Sequence, residues 1–418
     1  VTVLMRYTLR LLTTQQFQRA ATLICACEFL RRQQPKKWGQ ESFQIGLWVG
    51  SGATPNAIDG EEGARETLQK LRGGTEVNEG NPMQLPFCPW CGEELTAWNY
   101  HIDSTRNRMV VVCSRQGCAF YGTAKLLERA IPALLVDEDI YHQCPTLLLA
   151  TADKFARLPW KPQTMALFGR VNRSCPRHGY LTHTDDHAGT HRATGNAPQV
   201  SVQPCTPFLP PELIIQDELH LIAGPLGTLA GLYETAIDVL CSRPGKDSTL
   251  IRPKVIASTA TIRRADDQVR SLFAREVRLF PPSGIDAGNS FFATAQPLDS
   301  MPGRCYVGIY APGRSVKTAL VRVYALLLQV TGEYLTAHGP EISDAYTTLV
   351  GYFNSLRELG GALRLVEDDI ALFAGAQRLD DLAKHPRYPE FLTWMRANKG
   401  GGRPCPGGCG RCLVTLSA

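Results

Sequence analysis

Apolar residues recur along this chain with two alternating periods. Short, nearly continuous apolar runs read as buried strands at Val1–Met5, Gln44–Gly50, Thr146–Thr151, Leu213–Gln216 and Pro253–Ala257. Between them, apolar positions follow the helical period. In Gln15–Arg32, Phe17, Ala20, Ala21, Ile24 and Glu28 fall near one face, and further helices are expected near Ala64–Leu71, Ala152–Leu158 and Leu229–Leu240. A second series follows, with strands at Cys305–Tyr310 and Thr347–Phe353 and helices at Thr318–Leu328 and Ser355–Phe373. Strands that alternate with helices imply an α/β fold with a parallel sheet in each part.

Breaks in the pattern divide the chain. Residues 82–125 are Cys-rich, 172–211 are rich in His, Thr, Pro and Gly and read as a loop insertion, and 281–303 form a Pro/Gly/Ser-rich linker. The expected organisation is a first domain over 1–280 carrying both insertions, part of a second over 304–398, and an irregular tail over 399–418. Val1 is not an initiator Met and the chain opens inside an expected strand, so a piece of a longer protein is expected.

Composition narrows the classes. With 418 residues, 44% hydrophobic and 20% charged, the chain is long enough for two cores and is neither fibrous nor disordered. Its net charge of +5 permits a polyanionic partner without requiring one. No apolar run approaches a membrane span and no secretion pattern opens the chain, so a reducing, cytoplasmic location is expected. In that setting pairs at short spacing among the 14 cysteines read as metal ligands before disulfides.

Two strand ends carry the chemistry. Leu213-Ile214-Ile215-Gln216 runs straight into Asp217-Glu218-Leu219-His220. Ligands of open α/β sheets bind at the carboxyl ends of strands. Nucleotide hydrolysis there needs a carboxylate to hold Mg²⁺, a role that suits Asp217, and a group to orient or deprotonate water, which suits Glu218. Downstream, Val255-Ile256-Ala257 ends in Ser258-Thr259-Ala260-Thr261, whose hydroxyls could bond His220 on the neighbouring strand and couple nucleotide state to domain movement.

Among the cysteines, Cys88-x₂-Cys91 and Cys113-x₄-Cys118 can each form a knuckle, and together a tetrahedral four-thiolate Zn²⁺ site. Trp98–His101 and Met109–Val112 read as the two strands of a zinc ribbon, from which Arg106, Arg108 and Arg115 could face DNA. A second group could start at Cys175 and His178 and be completed by Cys205, His183, His187 or His191. Cys405, Cys409 and Cys412 give three thiols without a fourth nearby. Cys25 and Cys27 lie on different faces of one helix, and at least one of them reads as core.

The pair DELH and STATI, each after an apolar strand, resembles motifs II and III of superfamily-2 helicases. Other segments resemble that family in order. Arg6, Arg10, Thr13 and Gln16 match a motif that grips the nucleic-acid backbone, Thr151 and Lys154 a second, and Asn354 and Ser355 a third that opens a second RecA-like domain. The strings RYTLRLLTTQQFQRA, TADKFARLPW, CPRHG, IIQDELHLIAGPLGTLAGLYETAID and LVGYFNSLRELGGALRLVEDDI resemble the helicase subunit, DrmA type, of the bacterial DISARM anti-phage system. The resemblance implies a RecA-like motor domain with a zinc-ribbon insertion, followed by part of a second RecA-like domain. It also implies ATP and Mg²⁺ beside Zn²⁺, a DNA partner, a partner subunit and a methyltransferase. The family's phosphate loop, G-x-x-x-x-G-K-[ST], does not occur, because Gly245-Lys246 is followed by Asp247, and the paired arginines of the last motif are not recognisable. Two rival readings therefore stand beside the motor: a non-catalytic zinc-bearing nucleic-acid scaffold, and a metallohydrolase on the 175–205 loop.

Overall fold

A computed structural model describes residues 1–365 and 416–417 apart from 9, 124–128, 194–197, 223, 260–264, 283, 287, 290–291, 298, 301–302, 304–305, 340–347, 353–357, 359–360 and 363–364. The chain divides into two compact units, Val1–Arg278 and Leu279–Ala418.

The first unit is built on a six-stranded, wholly parallel sheet. Its strands are β1 (Val3–Tyr7), β2 (Ile45–Trp48), β3 (Ala133–Leu134), β4 (Leu147–Thr151), β5 (Leu213–Gln216) and β6 (Lys254–Ala257). They lie in the order β6-β5-β1-β4-β2-β3. Parallel neighbours need crossovers, and helices supply several of them: α1 (Arg10–Gln33) after β1, α3 (Asp137–Gln143) between β3 and β4, and α4 (Gly224–Cys241) after β5. α2 (Ala64–Arg72) lies in the longer β2–β3 connection and α5 (Ala265–Phe273) follows β6.

Apolar side chains on both faces of the sheet explain the continuous runs. One face packs Phe17, Ala21 and Ile24 of α1 against Ile45, Leu47 and Leu149. The other packs Leu4, Leu148 and Ile214 against Ile140 of α3 and Ile237 and Cys241 of α4. The register aligns Arg6 with Gln216 and Ala150, and Gln216 with Ala257, so β1, β4, β5 and β6 finish along one edge.

In the second unit, α6 (Val316–His338) is capped by Ser315, whose Oγ accepts the Thr318 N–H at 3.1 Å. The expected strand at Cys305–Tyr310 is corrected: residues 306–310 are irregular, with Tyr306, Val307, Ile309 and Tyr310 exposed. An apolar run becomes a strand only when a neighbour takes its hydrogen bonds, and residues 306–310 pair with no strand among the described residues. The helix expected at 355–373 lies almost wholly outside the described residues. Among the described residues no helix is long and apolar enough to cross a membrane.

Candidate functional site

The carboxyl edge of the sheet gathers the acidic and hydroxyl residues. The Asp217 N–H donates to Arg6 O at 2.9 Å, the Ser258 N–H to Gln216 O at 2.9 Å, and the Leu219 N–H to Ser258 O at 3.0 Å. The parallel ladder thus continues past the strands and locks the two segments together. Ser258 Oγ donates to Asp217 Oδ1, which also accepts the Glu218 N–H at 3.0 Å. His220 Nδ1 lies 3.2 Å from Glu218 Oε2 and 3.4 Å from Thr259 Oγ1. Asp217, Glu218 and His220 are half-buried, and Ser258 and Thr259 exposed. Gln268 of α5 donates to the carbonyls of Leu219 and Ile222 at 3.0 and 2.8 Å and so fixes the turn that carries His220. Burial, reinforced by the Asp217 charge, pushes the Tyr7 phenol up to about 12, so it stays neutral beside the acidic edge. A carboxylate, a second carboxylate held by a histidine, and hydroxyls from the adjacent strand are thus assembled at an accessible strand edge. Thr261, Asn354 and Ser355 lie outside the described residues, as does the side chain of Arg10.

Two cations expected on the nucleic-acid backbone need correcting. Arg6 is 2% exposed, ion-pairs with Glu234 of α4, and stands 5.6 Å over the Phe155 ring. Lys154 is 1% exposed, with Nζ 2.6 Å from Asp137 Oδ2 and donating to Val49 O at 2.7 Å. Tyr141 OH donates to Asp137 Oδ2 at 3.3 Å and accepts the Trp48 indole N–H at 3.0 Å. Charges removed from water this completely need partners: Lys154 finds them in protein groups, whereas Arg6 pairs through Nη1 alone, its Nε and Nη2 having no hydrogen-bond partner among the described residues. Thr13 and Thr151 are buried as well, and Thr151 Oγ1 has no hydrogen-bond partner among the described residues, whereas Gln16 is half-buried. Glu234, Asp137 and Tyr141 are site-supporting residues that sequence reasoning missed.

The four cysteines of residues 82–125 converge. Their Sγ atoms all lie within 4.8 Å of one another, with Cys88–Cys118 at 3.9 Å and Cys91–Cys113 at 3.5 Å. Thiolates about 2.3 Å from a tetrahedral Zn²⁺ stand about 3.8 Å apart, so the set fits that ion. Local folding explains the approach. The Gly92 N–H donates to Cys88 O at 2.9 Å with Gly92 at φ 76°, which closes one knuckle. The Arg115 and Phe120 N–H groups donate to Cys113 Sγ and Cys118 Sγ at 3.4 Å, which stabilises thiolate charge. Between the pairs, Tyr100–Asp103 and Arg108–Val111 form an antiparallel hairpin.

In the 172–211 insertion a second set converges: Cys175, His178, His187 and His191. Cys205, expected with them, is corrected. It is not one of the converging residues, and its N–H donates to Asn172 O at 3.0 Å, where the insertion's two ends meet. His183 is likewise outside the set.

No family model matches the chain. It is 44% identical over 397 residues to DISARM protein DrmA of Bacillus paralicheniformis, an alignment that takes in 93% of this chain and 34% of that protein. The solved structure of the DUF1998 helicase MrfA aligns with 96% of this chain and 40% of its own at a TM-score of 0.31 and 11% identity. The chain therefore spans about a third of the curated relative it matches, and across that span its sequence is similar to that of DISARM protein DrmA.

Proposed function

We propose that this chain supplies the hydrolysis and coupling residues of an ATP-dependent DNA helicase or translocase acting in DISARM-like defence. The supporting observation is the convergence of Asp217, Glu218, His220, Ser258 and Thr259 on the carboxyl ends of two hydrogen-bonded parallel strands. Bound ATP and Mg²⁺ would bring the scissile phosphoryl group and its neutralising charge. The residues present fit the metal and water side of such a group; the phosphate-cradling motif does not occur within residues 1–418.

In this reading Asp217, its carboxylate fixed by Ser258, would help hold the cation that neutralises the phosphates. Glu218 accepts the proton of the attacking water. His220 touches both Glu218 and Thr259, so movement of Glu218 is felt in the segment that follows β6. Arg6 and Lys154 act by position, tying β1 and the turn after β4 to the helices, and DNA is gripped by other groups. The four-cysteine site holds structural Zn²⁺. The 304–398 segment belongs to a second RecA-like domain, and a partner subunit completes the assembly.

The test is Glu218→Gln in the gene product that carries this chain. DNA-stimulated ATP hydrolysis should fall about 10²–10⁴-fold, the usual contribution of a positioned general base, with nucleotide binding retained. Undiminished hydrolysis would sink the assignment. DNA binding without hydrolysis in the wild type would favour the zinc-bearing scaffold.

A further inference from the structure

The second cluster holds four donor side chains from three separate stretches of the insertion. Cys175 ends the strand Arg173–Cys175, and His178 follows in the turn to Gly179–Leu181. His187 lies in the loop beyond, and His191 on the short strand Thr190–His191 paired with Val200–Ser201. The spacing is Cys-x₂-His followed by His-x₃-His.

We propose that Cys175, His178, His187 and His191 form a second zinc site, closed by four protein ligands, that ties the separate stretches of this insertion to one another. All four donor atoms lie within 4.8 Å of one another. Mixed sulfur and nitrogen ligands around tetrahedral Zn²⁺ stand about 3.3–3.8 Å apart. Cys175 Sγ and His178 Nδ1 are 3.5 Å apart. The three imidazoles are spaced almost equally, with centroids 4.9, 4.8 and 4.9 Å apart and interplanar angles of 71°, 73° and 78°. Near-equal edges place the three rings around a common centre. Packing of apolar side chains has no reason to produce that arrangement from histidines. One thiolate with three imidazoles suits zinc, and with every position filled by protein no site is left for substrate.

The surroundings prepare the donors. His187 Nδ1 lies 2.9 Å from Ala188 O, so a proton on Nδ1 leaves the Nε2 lone pair free; that atom is 2.8 Å from His178 Nδ1, about 0.5 Å closer than two imidazole nitrogens stand on one Zn²⁺, so the two rings would separate slightly on binding. His191 Nε2 is buried without a hydrogen-bond partner among the described residues. The hairpin is pressed against α3: Gln143 Nε2 donates to His178 O at 3.0 Å, and His142 Nδ1 lies 2.9 Å from Tyr180 O. Gly179 has φ 102°, and a Cβ there would collide with the His142 carbonyl, so glycine is what lets the turn holding His178 lie this close to α3. Arg177 donates to the carbonyls of Arg192 and Pro198 at 2.7 and 2.8 Å and closes the far side.

The experiment is metal analysis of the purified chain after gel filtration, a readout separate from hydrolysis. About two zinc ions per chain are expected. His187→Ala with His191→Ala should release one of them, and His187→Cys, which restores a ligand, should retain both. A wild-type chain with one zinc, unchanged by the paired alanines, overturns the proposal. If the alanine variant does not fold, the cobalt-loaded wild type decides. A one-thiolate, three-imidazole site adds ligand-field bands at shorter wavelength than a four-thiolate site, and a spectrum of four-thiolate character alone overturns it.

Discussion

Glu218 sits at φ 49° and ψ 50°, in the left-handed region where a side chain costs about 1–2 kcal/mol and glycine costs nothing. The site keeps a carboxylate there because the turn aims it at His220 instead of along the strand. Glu218→Ala and Glu218→Gly both remove the carboxylate, so their difference isolates the backbone. Glycine relieves the strain and loses about 0.5–1 kcal/mol to its freer unfolded chain. The glycine variant should therefore be more stable than the alanine variant by about 0.5–1 kcal/mol, the reverse of their order in a helix or strand. Denaturant midpoints measure this, and an alanine variant of equal or greater stability would refute the strain. Asp139 shows a different residue-scale effect. Burial pushes its carboxyl up to about 8, opposed by the Met109 N–H that donates to it at 2.9 Å. The unfolded chain loses that proton near pH 4, whereas the folded chain keeps it until about 8. The folded state thus binds more protons across this window, and the contribution to stability is lost as pH rises from about 4 to 8. Asp139→Asn should gain stability over wild type at pH 8 relative to pH 5, measured as the difference in melting temperature; an equal effect at both values would place Asp139 outside this linkage.

Two buried ion pairs bind strands to helices, Arg6 of β1 to Glu234 of α4 and Lys154 after β4 to Asp137 of α3. Burial lowers the Lys154 ammonium and raises the Asp137 carboxyl, so desolvation opposes the charges of both partners. Leaving one partner alone is then costly. Arg6→Ala and Glu234→Ala should each destabilise the first unit by about 3–5 kcal/mol, whereas Arg6→Met with Glu234→Leu should cost far less. Equilibrium unfolding of the singles and the double gives the coupling. A cost below about 1 kcal/mol for Arg6→Ala would mean the pair opens in solution and would return Arg6 to the DNA surface. The strands themselves were readable, because apolar runs of four or five residues bounded by polar turns leave few alternatives. The inward orientation of Arg6 was also readable, since Leu4 and Arg6 share a face by strand alternation and Leu4 is core. Its partner was not, because Glu234 stands 228 residues away and no local pattern links the two. β3 escaped for another reason, as two residues cannot display a period.

At the scale of the molecule, the four-cysteine module was legible from its spacing, because tetrahedral thiolate coordination needs paired knuckles and little else. Its relation to the sheet was not legible. An insertion with its own metal is easily pictured as a bead tethered to the core, yet Cys88, Cys113 and Cys118 belong to the same buried cluster as Ile45, Leu47 and Leu149 of β2 and β4. Trp90 continues the contact, its ring 4.7 Å from Phe29 of α1 and 5.9 Å from Phe120. A zinc ion held by these cysteines would therefore support the hydrophobic face of the sheet at whose edge Asp217 and Ser258 stand. Structural zinc contributes about 10–16 kcal/mol of apparent binding energy in small zinc-finger peptides, comparable with the whole stability of an ordinary domain at about 5–15 kcal/mol. Cys113→Ser should consequently unfold the first unit as a whole, seen as one cooperative transition at a much lower temperature with loss of the parallel-sheet circular dichroism signal. A detached bead would behave differently: the variant would lose one zinc and expose 82–125 to protease, while the main transition stayed where it was. That second outcome would separate the module from the core. The first would make the zinc a condition for forming the strand edge on which the acidic residues stand.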